Sequence, residues 1–125
     1  MKPILVDAWN TFVTKDGINN ELKRLLDNYP NKKIIVTNAN DNELITFGII
    51  NMPYPVFSLS HKPNKTNPEY FKQLFLKYRL SRDSVVYFEH NEEAIKSAKS
   101  LSIKSFWQKP NTPLDQLKLF LDSNL

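Results

Sequence analysis

The chain has 125 residues, of which 41% are hydrophobic and 24% charged, and its formal net charge is +4 at pH 7. This length and balance predict one globular domain over residues 1–125 and argue against an intrinsically disordered chain. With no cysteine, two histidines and two glycines, the sequence excludes disulfides, thiolate metal sites, three-histidine metal centres and glycine-rich phosphate loops. No apolar run approaches the roughly 20 residues that span a bilayer, and the N-terminus does not resemble a signal peptide, so we expect a soluble, cytoplasmic protein.

The positive charge comes mainly from lysine. Lysine and arginine together number 17 against 13 acidic residues, and the only arginines are Arg24, Arg79 and Arg82. The charges are dispersed, which predicts a solvated lysine-rich surface. A face that binds nucleic acid or another polyanion is the alternative.

Short apolar strand patterns alternate with amphipathic helix patterns along the whole chain. Polar caps and prolines mark several helix starts, as at Asn40 or Asp41, at Pro68 and at Asn91. In chain order we predict a strand over 3–6, a helix over 18–29, a strand over 33–37, a short helix ending at Gly48, a strand over 55–59, a helix over 67–78, a strand over 84–88, a helix from 91 to 101, a strand over 103–107 and a helix over 114–121.

This order predicts an α/β fold with one five-stranded parallel sheet. Regular alternation of strands and helices implies parallel strands joined by right-handed crossovers. The strands are continuously apolar, which is typical of a sheet with helices on both faces, a three-layer α/β/α, Rossmann-like architecture. Ligands bind such sheets beyond the carboxyl ends of the strands. The polar residues there are Asp7, Thr37 with Asn38, residues 58–60, and Glu89 with His90.

Four segments follow one another in an order that points to a known superfamily. Residues 4–13 read ILVDAWNTFV, Thr37 ends an apolar strand, residues 65–71 read KTNPEYF, and residues 85–93 read VVYFEHNEE. Together they resemble the four motifs of the haloacid dehalogenase-like (HAD) superfamily, whose first motif is Asp-x-Asp-Gly-Thr after a strand. The resemblance covers nearly the whole chain and implies a minimal member without a cap domain.

The resemblance implies phosphoryl-transfer roles for the matched residues. Asp7 would attack a phosphoryl group and form an aspartyl-phosphate, and Thr37 would hold a phosphoryl oxygen. Lys65 would neutralise charge on the nucleophile and the phosphate, with Lys62 as a less well-spaced alternative. Phosphoryl transfer relies on a positioned nucleophile and on cations, which fits these residue types. The other residues expected to contact phosphate or substrate are Trp9, Asn10, Thr11 and Asn38.

The resemblance also implies a magnesium ion. Asp7 and Glu89 would bind it, with help from Glu93 or Asn91. Hard carboxylate oxygens are the ligands that Mg²⁺ prefers, and the ion usually keeps several waters.

Motifs one and four depart from the family pattern. The family's general acid/base aspartate is replaced by Trp9, which cannot transfer a proton, so a rate factor of roughly 10²–10⁴ is at risk. Trp9 is expected to form a hydrophobic lid, or a stacking surface for an aromatic substrate. The usual glycine is Asn10, which tolerates left-handed backbone. His90 replaces one residue of the family's acidic pair. We expect it to be either an acid/base of the site or an exposed loop histidine.

These departures leave three functions open. The first is a magnesium-dependent phosphoester hydrolase of altered or reduced activity, acting through its open site on a phosphorylated macromolecule such as a nucleic-acid end or a phosphoprotein. The second is a binding or regulatory protein with a disabled site, since fold does not imply function. Dehalogenation through Asp7 is the third, suggested by the aromatic residue at Trp9, although too few residues are present for the cap such enzymes use.

Overall fold

The computed structural model describes residues 1–125 as alternating strands and helices. In chain order these are β1 (Ile4–Asp7), β2 (Val13–Thr14), β3 (Gly17–Ile18), α1 (Asn20–Asp27), β4 (Lys33–Thr37), α2 (Asp41–Thr46), β5 (Val56–Ser58), α3 (Glu69–Tyr78), β6 (Val86–Glu89), α4 (Glu92–Lys99), β7 (Lys104–Trp107) and α5 (Leu114–Asn124). A short 3-10 turn, Arg82–Ser84, precedes β6.

Five strands form a parallel sheet in the order β5-β4-β1-β6-β7. The strand order reverses at β1, which lies in the centre and pairs with β4 on one side and β6 on the other. Asp7 at the end of β1 lies opposite Val36 of β4. The carboxyl ends of β1, β4 and β6 therefore meet at one edge, where sheets of this kind bind ligands.

Helices cover both faces of the sheet, which confirms the predicted three-layer architecture. Successive strand residues point to opposite faces. Ile4 and Val6 of β1 pack in the core beneath α1 and α5, whereas Leu5 packs in the core beneath α3 and α4. All three are fully buried, which explains why β1 has a continuously apolar sequence.

A small antiparallel hairpin of β2 and β3 follows β1, and the sequence patterns did not predict it. Its strands have two residues each, too few for an alternating pattern to be visible. Gly17 has a φ of +99°, which a glycine adopts without steric cost. Ile18 consequently belongs to β3 rather than to α1. The helix begins after Asn19, whose side chain accepts a hydrogen bond from the N–H of Leu22 at 3.2 Å.

No cap domain is evident. The chain between β1 and β4 holds only the hairpin and α1, and the chain between β4 and β5 holds only α2 and a loop. None of the helices has the length and apolarity needed to cross a membrane.

Tyr70 joins the ends of two strands through its buried hydroxyl group. The hydroxyl accepts a hydrogen bond from the Thr37 N–H at 3.0 Å and lies 3.0 Å from the Thr37 carbonyl oxygen and 2.8 Å from the Phe57 carbonyl oxygen.

We expect Tyr70→Phe to lower the free energy of unfolding by about 1–3 kcal/mol, because buried backbone groups lose their partner. Urea denaturation measures the change. Tyr78→Phe on the same helix is the control; Tyr78 is half-buried and its hydroxyl makes no hydrogen bond within the chain, so a similar loss there would contradict this interpretation.

Candidate active site

A buried lysine lies between two carboxylates at the carboxyl edge of the sheet. Asp7 and Glu89 end the neighbouring parallel strands β1 and β6, so their side chains emerge side by side. The Nζ atom of Lys65 lies 2.8 Å from Asp7 Oδ1 and 2.7 Å from Glu89 Oε1. Each of the three side chains is at most 7% exposed. The lysine charge thus holds together two carboxylates that would otherwise repel each other.

The second carboxylate oxygen of Asp7 is held by three donors. Thr11 donates its hydroxyl hydrogen to Asp7 Oδ2 at 2.6 Å, and the backbone N–H of His90 donates to the same atom at 3.1 Å. The His90 ring also hydrogen-bonds to this oxygen through Nδ1. The indole of Trp107 donates to the His90 carbonyl at 2.9 Å and fixes this segment. Asp7 therefore has one well-defined orientation, as a nucleophile requires.

The two carboxyl groups differ in acidity. Burial disfavours the charge on Asp7, but Lys65 and His90 outweigh it and keep the pKa of Asp7 below its usual range. Burial raises the pKa of Glu89 to about 7, with Lys65 opposing and Asp7 adding to the rise. The hydrogen bond to Asp7 raises the pKa of His90. Asp7 is consequently an anion at neutral pH, the form in which a carboxylate attacks.

A cavity of about 200 Å³ opens above this network. Asp7, Lys65 and Glu89 line its base. Trp9 forms part of its wall and stacks on Phe47, with ring centroids 4.5 Å apart and an interplanar angle of 18°. The aromatic pair places an apolar surface beside a charged one; the lid or stacking role of Trp9 stays a prediction.

Thr37 and Asn38 line the same cavity at the end of β4. Their side chains already hold neighbouring backbone groups. Asn38 Oδ1 accepts the N–H of Lys65 at 2.6 Å, and Thr37 Oγ1 accepts the N–H of Ala39 at 3.2 Å. Asn38 thus ties the lysine segment to the sheet edge, a positioning role that the sequence did not indicate.

The structure does not bring every predicted residue to the cavity. Glu93 is exposed on α4, where its carboxylate lies 3.3 Å from Lys96, because Asn91 caps the helix and turns its first turn outward. Asn10 has a φ of 66° and forms the turn that was expected of it, but its side chain does not line the cavity. Lys62 is exposed, and Lys65 is the lysine at the site. Thr11, which was expected to contact phosphate or substrate, does not line the cavity, and its hydroxyl group is hydrogen-bonded to Asp7.

His61 and Glu43 line the cavity although sequence reasoning did not place them there. The only sequence feature that could have indicated His61 is its position shortly after β5, at the expected edge of the sheet. Glu43 gave no signal beyond its position in the first turn of α2. Neither pattern distinguishes a site residue from a surface residue.

Solved structures with the same fold include HAD enzymes. A HAD family enzyme from Bacteroides thetaiotaomicron, an Asp-to-Ala mutant in complex with magnesium and inorganic phosphate, aligns with a TM-score of 0.73 and 13% identity over 94% of this chain and 98% of that one. The core domain of a predicted phosphoglycolate phosphatase from Streptococcus pneumoniae aligns with a TM-score of 0.65 and 15% identity over 98% of this chain and 96% of that one. The Bacteroides enzyme in another structure aligns with a TM-score of 0.63 and 19% identity over 81% of this chain and 56% of that one.

No family model matches the chain, and no curated protein matches its sequence. At these identities the likeness concerns the fold. The chain therefore has the core fold of the HAD enzymes, as its motifs predicted, in a form without a cap.

The lysine at the site can be tested through stability. We expect Lys65→Met to lower the free energy of unfolding at pH 8 by about 3–5 kcal/mol, because two buried carboxylates lose their partner. Without the lysine the folded-state pKa of Asp7 rises above its unfolded value and that of Glu89, which is already raised, rises further, so the deficit is largest at high pH and shrinks as the pH falls towards 5. Urea denaturation in metal-free buffer at both pH values measures this, with exposed Lys62→Met as the control. A deficit that grows on acidification would contradict the ion-pair network.

Proposed function

We propose that the chain is a magnesium-dependent phosphoester hydrolase with Asp7 as its nucleophile. The observation that carries the proposal is Lys65 Nζ bridging Asp7 and Glu89 at the base of an open cavity. A cation at this place can neutralise both the nucleophile and the incoming phosphate. The HAD enzyme that aligns at a TM-score of 0.73 is in complex with magnesium and phosphate, which supports the same ligands here.

The chain's own residues account for the first chemical step. An Asp7 oxygen attacks phosphorus, the bond from phosphorus to the leaving oxygen breaks, and an aspartyl-phosphate forms. Thr11 and His90 hold the carboxylate in place through hydrogen bonds, and Lys65 stabilises the negative charge that builds up. Water then cleaves the aspartyl-phosphate and regenerates Asp7.

The residues present fit a divalent cation. Ligand atoms of Asp7, Glu89 and His90 lie within 4.8 Å of one another. Asp7 and Glu89 offer the carboxylate oxygens that Mg²⁺ prefers, whereas the His90 ring is already bonded to Asp7 Oδ2. When bound, the ion would neutralise phosphoryl oxygens. Asp7 and Glu89 would hold it, and of the two residues expected to help them Asn91 lines the cavity whereas Glu93 does not.

The substrate is proposed to be a phosphorylated macromolecule in the cytoplasm. The cavity is bounded by α2, the first turn of α4, strand ends and loops rather than by a cap, so a phosphate at the end of a nucleic acid or on a protein side chain can reach it. The net charge of +4 is favourable for such polyanions.

A binding or regulatory protein is the second candidate function, and Trp9 is the observation that favours it. The indole stands where the family has its acid/base aspartate, and it packs on Phe47. Trp9→Asp separates the candidates. Phosphatase turnover that appears only in this variant identifies a disabled parent, whereas turnover in the wild-type chain that Asp7→Asn abolishes identifies the hydrolase.

An adduct at Asp7 is the direct test of the nucleophile. We expect beryllium fluoride with Mg²⁺ to form an acyl-phosphate mimic on Asp7, visible by ¹⁹F NMR. Asp7→Asn should remove the signal, while the exposed Asp16→Asn should retain it. Absence of an adduct together with absence of Mg²⁺ binding by calorimetry would overturn the proposed hydrolase.

His90 should limit the affinity for magnesium. Its ring shares Asp7 Oδ2 with any cation bound there. We expect His90→Asp to tighten Mg²⁺ binding about tenfold or more, because a third carboxylate replaces a competing donor, and tenfold corresponds to about 1.4 kcal/mol. Isothermal titration calorimetry measures the dissociation constant. Equal or weaker binding in the variant would show that the ion is held elsewhere, and His61→Asp across the cavity is the matched control.

A further inference from the structure

The proposed hydrolase lacks a proton donor at the family's usual position. Trp9 cannot protonate a leaving group, and a general acid typically contributes a factor of about 10²–10⁴ in rate. His90 bonds to Asp7 through Nδ1 and belongs to the nucleophile's own hydrogen-bond network. His61 is the other histidine of the chain, and it lines the same cavity from the loop after β5.

The ring of His61 is held by acceptors on both nitrogens. Nε2 lies 2.5 Å from Glu43 Oε1, and Nδ1 lies 2.8 Å from Asn64 Oδ1. Two oxygen acceptors favour a ring that carries a hydrogen on each nitrogen, which is the acid form. The hydrogen bond to Glu43 raises the pKa of His61 in agreement with this geometry. Two acceptor oxygens at the ring nitrogens therefore favour the charged, acid form of His61.

Glu43 is itself fixed by α2. Its Oε1 accepts the N–H of Asn40 at 3.0 Å, and its own N–H donates to Asn40 Oδ1 at 2.9 Å, a reciprocal capping box. A carboxylate anchored in this way can orient the imidazole, as the acidic member of a catalytic dyad does. The side chain of His61 is 42% exposed, so a substrate can displace the amide of Asn64 from Nδ1.

The backbone that carries His61 adopts a costly conformation. Ser60 and His61 have φ values of 53° and 67°, left-handed conformations that non-glycine residues rarely adopt in succession. The Ser60 N–H bonds to Ser58 Oγ at 3.1 Å and stabilises this turn. Conformations of this kind persist mainly where the surrounding structure enforces them, frequently at functional sites.

We propose that His61, oriented by Glu43, is the general acid and base of the site, in place of the residue that Trp9 replaces. As Asp7 attacks and the phosphorus–oxygen bond breaks, Nδ1–H of His61 gives its proton to the leaving oxygen, which departs as an alcohol. The neutral ring then takes a proton from the water that attacks the aspartyl-phosphate, and His61 returns to its charged form. This inference rests on the proposed hydrolase function.

Leaving-group dependence tests the role of His61. A general acid matters most for poor leaving groups, because a good one departs without a proton. We compare kcat/KM of wild-type protein and His61→Gln with phenyl phosphate and with 4-nitrophenyl phosphate, in saturating Mg²⁺. We expect a loss of about 10²-fold or more with phenyl phosphate and less than about tenfold with 4-nitrophenyl phosphate. Lys62→Gln, an exposed neighbour on the same loop, should leave both values unchanged.

The outcomes separate the two proposals. Equal losses with both substrates, or no loss, overturn the acid role of His61 and leave Asp7 as the nucleophile. A wild-type chain that forms the beryllium fluoride adduct without turning over either substrate also overturns it. Absence of adduct and turnover overturns the hydrolase itself. Adduct formation needs no leaving-group proton, so His61→Gln should form the adduct like the wild type, which also shows that the variant is folded.

Discussion

The ion-pair network of Lys65 with Asp7 and Glu89 is the interaction on which the whole site depends. Two carboxylates at the ends of adjacent parallel strands would repel each other, and burying them is costly. The single positive charge of Lys65 compensates both carboxylates, because its Nζ atom lies 2.8 Å from Asp7 Oδ1 and 2.7 Å from Glu89 Oε1. Its backbone is tied in turn to Asn38 at the end of β4. Three neighbouring strands and the loop before α3 thus meet at Lys65, whose amino group contacts Asp7, Glu89 and the Val36 carbonyl.

Around this network the cavity combines a rigid charged base with a less buried rim. The base is held by hydrogen bonds from Thr11 and His90, which fix the orientation of the Asp7 carboxylate. The rim consists of the aromatic pair of Trp9 with Phe47 and of the His61–Glu43 pair. In the proposed function the base supplies the nucleophile and the rim supplies the proton. A substitution in the base should affect stability as well as chemistry, and so should one at Trp9 or Phe47, because both pack against the hydrophobic core.

Most of the fold could be predicted because it follows from local patterns. Continuous apolar strands such as β1 and β4 have few alternatives to a buried parallel sheet, and Asn40 and Asn91 mark helix starts through their capping chemistry. The hairpin of β2 and β3 escaped prediction because two-residue strands carry no period. Among the site residues, Asp7, Thr37 and Glu89 could be located at strand ends, whereas Glu93 and Asn91 have similar positions in sequence and only helix geometry separates them.

The sequence by itself determined the alternation of strands and helices, the acidic residue at the exit of the central strand and the tryptophan two residues after it. These depend on residue type and spacing, which act over a few residues. The tertiary structure alone decided that Lys65 rather than Lys62 reaches Asp7, that Thr11 and His90 hold the Asp7 carboxylate, and that His61 and Glu43 line the cavity. Those contacts join residues far apart in the chain, and their distances are set by the packing of the sheet and its helices rather than by any local pattern.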